Sequence, residues 1–293
     1  MLPVGMRRVL VPLLVALALS LPAPGVAGRR TPWAAQKTPA PGPPQAIGGH
    51  SAGCVVGAEV LSRSTPALDL LRAGRHRHWG HPILLDFIRT LGAAVQREQL
   101  GRLRVGDLGQ PRGGPAPSGH ASHQSGLDVD LAFALGRRTA RDPLQVPMVD
   151  RAAGKPAAAF GTAQRRLLQL AAEDPRVARI FVNPVLKRAL CEDPDPGQDR
   201  AWRARIRPWW GHDQHLHVRL ACPPDSPLCR DQPAVGPDEG CADLDWWFGA
   251  RDSTDRQKAA ADYGKRVTGL PTLPAECDAL LPPPGGRRKS PKP

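Results

Sequence analysis

The chain has 293 residues, 34 of them proline and one tyrosine, with a formal net charge of +13 at pH 7. That length supports one domain with a substantial core, with or without extensions. The charge asks for an anionic partner. The interleaved aromatic and basic residues of a nucleic-acid stacking platform are missing, so nucleic acid is not expected and an anionic wall polymer fits better.

Met1–Ala27 reads as a secretory signal. Arg7 and Arg8 precede the apolar run Val9–Leu21, and Gly25-Val-Ala27 supplies small residues for cleavage. The run is short for a membrane span, and no later stretch approaches the roughly 20 apolar residues that one requires. The expectation is an exported, periplasmic protein without stable membrane insertion after cleavage, an uncleaved anchor being the lesser alternative. Six cysteines follow, an even number, and none forms Cys-x-x-Cys. A disulfide framework is therefore expected, not a thioredoxin-like redox centre or a zinc ribbon, and spacing alone does not choose its connectivity.

Residues 28–50, rich in proline, alanine and glycine, read as a flexible linker ahead of a domain over 51–281, with 282–293 as a disordered basic tail. Arg75-His-Arg-His-Trp-Gly-His81 leads into Pro82, a favoured first helical residue, and Leu84, Phe87, Ile88 and Leu91 then recur at helical spacing. His76, His78 and His81 read as a solvated or capping cluster, with a metal role the lesser alternative. A strand over Leu103–Leu108 precedes a loop loosened by Gly113, Gly114 and Gly119 and kept irregular by Pro111, Pro115 and Pro117. Arg112 in that loop stands equally as a contact for a substrate carboxylate or as a solvated arginine.

The loop runs into Ser118-Gly-His-Ala-Ser-His-Gln-Ser-Gly-Leu-Asp-Val-Asp-Leu-Ala-Phe133, whose second half has period two. Leu127, Val129, Leu131 and Phe133 take one face of a strand; Asp128 and Asp130 take the other. Carboxylates beside histidines on a buried face are costly unless a cation or hydrogen bonds compensate them, which points to a metal. Gly136–Ala159 reads as irregular. A helix over Thr162–Glu173 carries Leu167, Leu170 and Ala171 on one side, and a strand over Val177–Val182 ends at Asn183-Pro184, a helix cap and first residue. A further helix is expected over Asp199–Ile206. Trp209-Trp210 offers a cleft wall or, by default, core packing, and Asp243–Phe248 adds more aromatics.

His212-Asp-Gln-His-Leu-His-Val-Arg-Leu220 is the complement of the first stretch. Leu216, Val218 and Leu220 alternate with His215, His217 and Arg219, and five of the nine histidines lie in the two segments. Side by side, the two strands would bring Asp130 and His217 together as donors for a tetrahedral metal. Motifs of several hydrolytic chemistries are missing: there is no Ser-x-x-Lys and no His-Glu-x-x-His. The fold expected is α+β, a small antiparallel sheet carrying the site, flanked by helices and by long proline-rich loops tied by disulfides.

Gly119-His-Ala-Ser-His-Gln-Ser-Gly-Leu-Asp-Val-Asp130 and His212-x-x-His-x-His-Val-Arg219 resemble the signatures of the penicillin-insensitive murein endopeptidases, zinc peptidases related to lysostaphin-type, D-Ala-D-Ala and hedgehog-like folds. The resemblance runs from about Arg75 to Cys277. It implies zinc bound by His123, Asp130 and His217, with His120 as an added ligand, a proton carrier or a substrate contact. His215 and His212 become the catalytic histidines, and Asp128 orients a ligand histidine. It implies the pairs Cys54–Cys277, Cys191–Cys241 and Cys222–Cys229. A second metal found in related enzymes is not expected, because Ala153 and Pro156 stand at the matching positions and Asp150 is a weak substitute. The activity implied is hydrolysis of peptidoglycan peptide cross-links by zinc-activated water with histidine acid/base assistance, insensitive to β-lactams. A wall-binding module without turnover and a basic scaffold with incidental histidines are the competing classes.

Overall fold

The computed structural model describes residues 31–61, 64–117, 121–135, 142–193, 200–236, 238–242, 244–249 and 271–282. The expected signal over 1–27 and nearly all of the expected tail lie outside these residues. In chain order the strands are β1 (Gln45–Gly49), β2 (Ala52–Val56), β3 (Glu59–Val60), β4 (Leu68–Leu70), β5 (Trp79–Gly80) and β6 (Leu103–Val105). They continue as β7 (Asp128–Ala132), β8 (Val149–Asp150), β9 (Lys155–Pro156), β10 (Val177–Val182), β11 (Ile206–Pro208) and β12 (His215–Leu220). The α-helices are α1 (Pro82–Arg97), α2 (Thr162–Glu173), α3 (Pro184–Cys191) and α4 (Leu244–Phe248).

Six strands form the central sheet in the order β11-β10-β12-β7-β6-β4. Its middle is antiparallel, but the edge pairs β10/β11 and β4/β6 are parallel, so the sheet of this α+β fold is mixed. The chain order explains the difference. A parallel pair needs a long connection, and α3 lies between β10 and β11 as α1 lies between β4 and β6. Alternation in β7 and β12 turns Val129, Leu131, Leu216, Val218 and Leu220 into one buried apolar cluster with Phe87 and Ile88 of α1 and Leu167 and Ala171 of α2. Burying each of the larger side chains contributes about 1.5–3 kcal/mol.

Local chemistry starts the helices. The His81 ring Nδ1 accepts from the Ile83 amide at 3.3 Å, with Pro82 in the first turn of α1. Asn183 accepts from the Val185 amide at 3.0 Å, ahead of Pro184 in α3. His78 of the same histidine cluster is buried, its Nε2 lying 2.9 Å from the Leu71 carbonyl, and His76 is exposed. The expected helix over Asp199–Ile206 is a 3-10 helix over Ala201–Arg205, with Ile206 already in β11 and Asp199 outside the described residues. The strand expected to reach Leu108 ends at Val105.

Residues 31–50 are not the flexible linker that their composition suggests. Trp33 is 4% exposed, β1 pairs with β2, and Trp33, Ile47, Cys54 and Cys277 form a second small core. The Trp33 ring lies against Gly114, whose φ is +71° and where a Cβ would stand 2.1 Å from the ring. The Thr31 hydroxyl donates to the Pro115 carbonyl at 2.8 Å. Proline and glycine fit the irregular path, while the few large apolar residues are too widely spaced to show a period. Arg112 donates to the carbonyls of Thr38, at 3.1 Å, and Leu280, tying an early and a late segment to the loop. Disulfides join Cys54 to Cys277, Cys191 to Cys241 and Cys222 to Cys229, the pairs that the resemblance implies. Among the described residues, no helix is long and apolar enough to cross a membrane.

Candidate metal centre

The register of β7 against β12 builds the site. Asp130 lies opposite His217, and Asp128 opposite Arg219, on the face away from the apolar cluster. His123 arrives from the preceding loop in a left-handed conformation, φ 66°, which is uncommon for a residue with a side chain. Asp128 holds it there by accepting the His123 backbone amide at 3.0 Å. His123 Nε2 and His217 Nδ1 each lie 3.3 Å from Asp130 Oδ1, and one ligand atom from each of the three residues falls within 4.8 Å of the others. All three are buried.

The arrangement fits a cation. Neighbouring ligands on a tetrahedral ion with bonds of about 2.0–2.2 Å stand roughly 3.3–3.6 Å apart, the spacing found here between Asp130 and each imidazole. Asp128 is already compensated: Arg219 donates to it from Nε and Nη2, both at 3.0 Å, and His50 Nδ1 lies 2.9 Å away. Burial works against its charge, but Arg219, His50 and His217 outweigh this and hold the carboxyl well below the usual range. Asp130 is left as the carboxylate that the imidazoles share. Burial disfavours charge on both rings. For His217, Asp128 and Asp130 more than offset this and raise it to about 9, whereas burial prevails at His123 and lowers it.

His215 and His212 flank the three. His215 Nε2 lies 3.8 Å from Asp130 Oδ1, with the side chain 24% exposed. His212, at φ 49°, donates from Nδ1 to the Trp210 carbonyl at 2.8 Å, which leaves Nε2 as its lone-pair nitrogen. Burial, then His215 and His217, depress His212 to about 3, so its ring is neutral near pH 7. Phe181, opposite His217 on β10, packs edge-on against that ring at 5.5 Å. Trp209 and Trp210 are half-buried and meet Trp247 of α4 at 6.1 and 4.9 Å; they form an aromatic wall outside the main apolar cluster.

His120 lies outside the described residues. Ala153 lies in the turn between β8 and β9 and Pro156 within β9, and the Asp150 carboxylate accepts the amides of Ala152 and Ala153 at 3.1 and 3.0 Å. Sequence reasoning missed His50, which sits at the end of the stretch read as linker, with no other histidine or carboxylate close to it in sequence. The opposed faces of the two strands did carry a signal for the Asp128–Arg219 pair, since Arg219 follows His217 by two residues as Asp128 precedes Asp130 by two.

A model of the penicillin-insensitive murein endopeptidase family matches residues 46–282. A penicillin-insensitive murein endopeptidase of Yersinia enterocolitica serotype O:8 / biotype 1B is 43% identical over 258 residues, spanning 86% of this chain and 90% of its own. Another, of Escherichia coli O157:H7, is 40% identical over 270 residues, spanning 90% and 95%. The similarity thus runs from β1, just ahead of His50, through both strands of the centre to the C-terminal disulfide, and the chain belongs to the penicillin-insensitive murein endopeptidase family.

Proposed function

We propose that the chain is a zinc-dependent endopeptidase that hydrolyses the peptide cross-links of murein, exported by residues 1–27 and working in the periplasm. The observation that carries the metal is the cross-strand pair of Asp130 and His217 with His123 above it, their ligand atoms within 4.8 Å. Two imidazoles and one carboxylate suit zinc better than a hard cation, which prefers oxygen ligands throughout. Three disulfides fit an oxidising compartment.

When bound, zinc lowers the pKa of a coordinated water towards about 7 and polarises a carbonyl. The chain does the rest. His215, partly exposed on the same face as His217, takes and returns a proton at Nε2. His212, neutral and with its Nδ1 proton committed to the Trp210 carbonyl, offers Nε2 as an acceptor that orients the reacting groups. His120, three residues before His123, joins this set as a further ligand or substrate contact. Asp128 fixes the His123 backbone and adjoins the His217 ring, as an outer carboxylate does around a metal ligand.

The test separates binding from turnover. His217→Ala should lose zinc and muropeptide cleavage together, while His215→Ala should keep zinc and lose turnover by about 10²–10⁴-fold. Cleavage should continue in penicillin, stop with a chelator and return with zinc. Cleavage that penicillin stops and chelation spares would overturn the proposal.

A further inference from the structure

A cavity of about 570 Å³ opens beside the metal centre, with Asp130 and His215 among its lining and Arg72, Arg75 and Asp107 lining it as well. The charges of that second group are unequally matched. Arg72 is paired with Asp142, donating from Nε and Nη2 at 2.9 and 2.7 Å. Asp107 is shared. Arg77, with a buried side chain, donates to its Oδ2 at 2.8 Å, and Arg75 Nη1 reaches the same oxygen at 3.1 Å. Arg77 compensates Asp107 from the buried side, so the excess positive charge is carried by Arg75, whose side chain is 34% exposed.

A guanidinium has five donors in a planar fork, and contact with Asp107 through Nη1 leaves that fork able to receive a second carboxylate. The backbone beneath it is held in an unusual form. Arg72 at φ 53° and His76 at φ 54° are both left-handed and bracket the 3-10 turn Ala73–Arg75. Such conformations are costly for residues with a Cβ and persist where the surroundings enforce them, often at ligand clamps.

We propose that Arg75 sets substrate specificity by receiving a free carboxylate of the stem peptide beside the scissile bond. The inference rests on the endopeptidase reading above and refines it. Cross-linked stem peptides carry free carboxylates at their ends and on the linking diamino acid. The cavity spans from Arg75 to Asp130 and His215, so a peptide anchored at one end presents a neighbouring amide to the other. Arg75 takes no part in proton transfer; its contribution is to binding and register.

The experiment uses zinc-loaded full-length enzyme and two cross-linked muropeptides that differ only in whether the carboxylate beside the cross-link is free or amidated. The wild type should prefer the free carboxylate by about 10- to 100-fold in kcat/KM, mainly through KM, as for one charged hydrogen-bonded contact. Arg75→Gln should abolish that preference through a raised KM for the free-carboxylate substrate, and Arg75→Lys should restore part of it. Calorimetric titration with the free-carboxylate product peptide should show the same loss of affinity in Arg75→Gln, without any turnover. A wild type that cleaves both substrates equally, or an Arg75→Gln that keeps the preference, overturns the inference and leaves the endopeptidase reading standing. A wild type that cleaves neither overturns that reading, and the titration then decides the carboxylate site by itself. Because the wild type alone discriminates or does not, a misfolded variant leaves the proposal refutable.

Discussion

Asp128→Asn asks whether a buried carboxylate holds the centre together. In the wild type, Asp128 accepts two bonds from Arg219 and one from the His123 amide, all at 3.0 Å, and lies 2.9 Å from His50. Asparagine keeps the volume and removes the charge, leaving Arg219, whose side chain is 7% exposed, without its counter-ion. Breaking one side of such a buried pair costs about 3–5 kcal/mol. Arg219 keeps its 2.7 Å bond to Gln232, which favours the lower end of that range. With an m value of about 2–3 kcal/mol/M, the urea midpoint should fall by about 1–2 M. The measurement belongs on metal-free protein with its disulfides intact, so that zinc binding does not add to native stability. Asp128→Asn combined with Arg219→Met should recover much of the loss, because both charges are then gone. The sign with pH follows from the depressed pKa: the stabilisation is present above the unfolded value of about 3.9 and is lost as pH falls through the folded one. Zinc affinity should drop about 10–100-fold in the single variant. A cost below about 1 kcal/mol, or strict additivity in the double variant, would refute the reasoning.

Lys187 is fully buried in α3, donating to the carbonyls of Arg203, at 2.8 Å, and Glu239, and burial pushes its ammonium down to about 7. The unfolded chain therefore binds more protons than the folded one between about pH 7 and 10, and stability should rise with pH there by up to about 1.4 kcal/mol per unit. Urea titrations of Lys187→Met should lack that rise, and an unchanged slope would count against it. Trp33→Ala should cost about 3–5 kcal/mol by equilibrium unfolding, whereas a residue in a mobile linker would cost nothing. Replacing Cys54 and Cys277 together by alanine removes a bridge between residues 223 apart and should cost about 2–5 kcal/mol; a thermal midpoint equal to that of the wild type would show that the bridge constrains little.

Much of the site is legible in the sequence because strands and helix caps are local. Alternation along Leu127–Phe133 and Leu216–Leu220 separates apolar from ligand-bearing positions, since successive side chains of a strand point to opposite faces. Asn183-Pro184 marks the start of α3 for an equally local reason, and the two histidine motifs carry the family likeness within a dozen residues each. Register is different. Asp130 meets His217 only because β7 and β12 pair as they do; a shift of two residues would keep the same faces and put Asp128 there instead. That choice depends on contacts between residues far apart in the chain, as does the parallel pairing at both edges of the sheet. His50 joins Asp128 from a distant segment, Trp33 packs on Gly114 and into the second small core, Arg112 turns to Thr38 and Leu280, and Arg75 comes to line one cavity with His215. None of these has a period or a neighbour in sequence that announces it. The sequence by itself determines which residues can bear the chemistry, because side-chain alternation is a property of the backbone. The tertiary structure decides which of them meet, because long-range packing and pairing select one register among several that the local pattern allows.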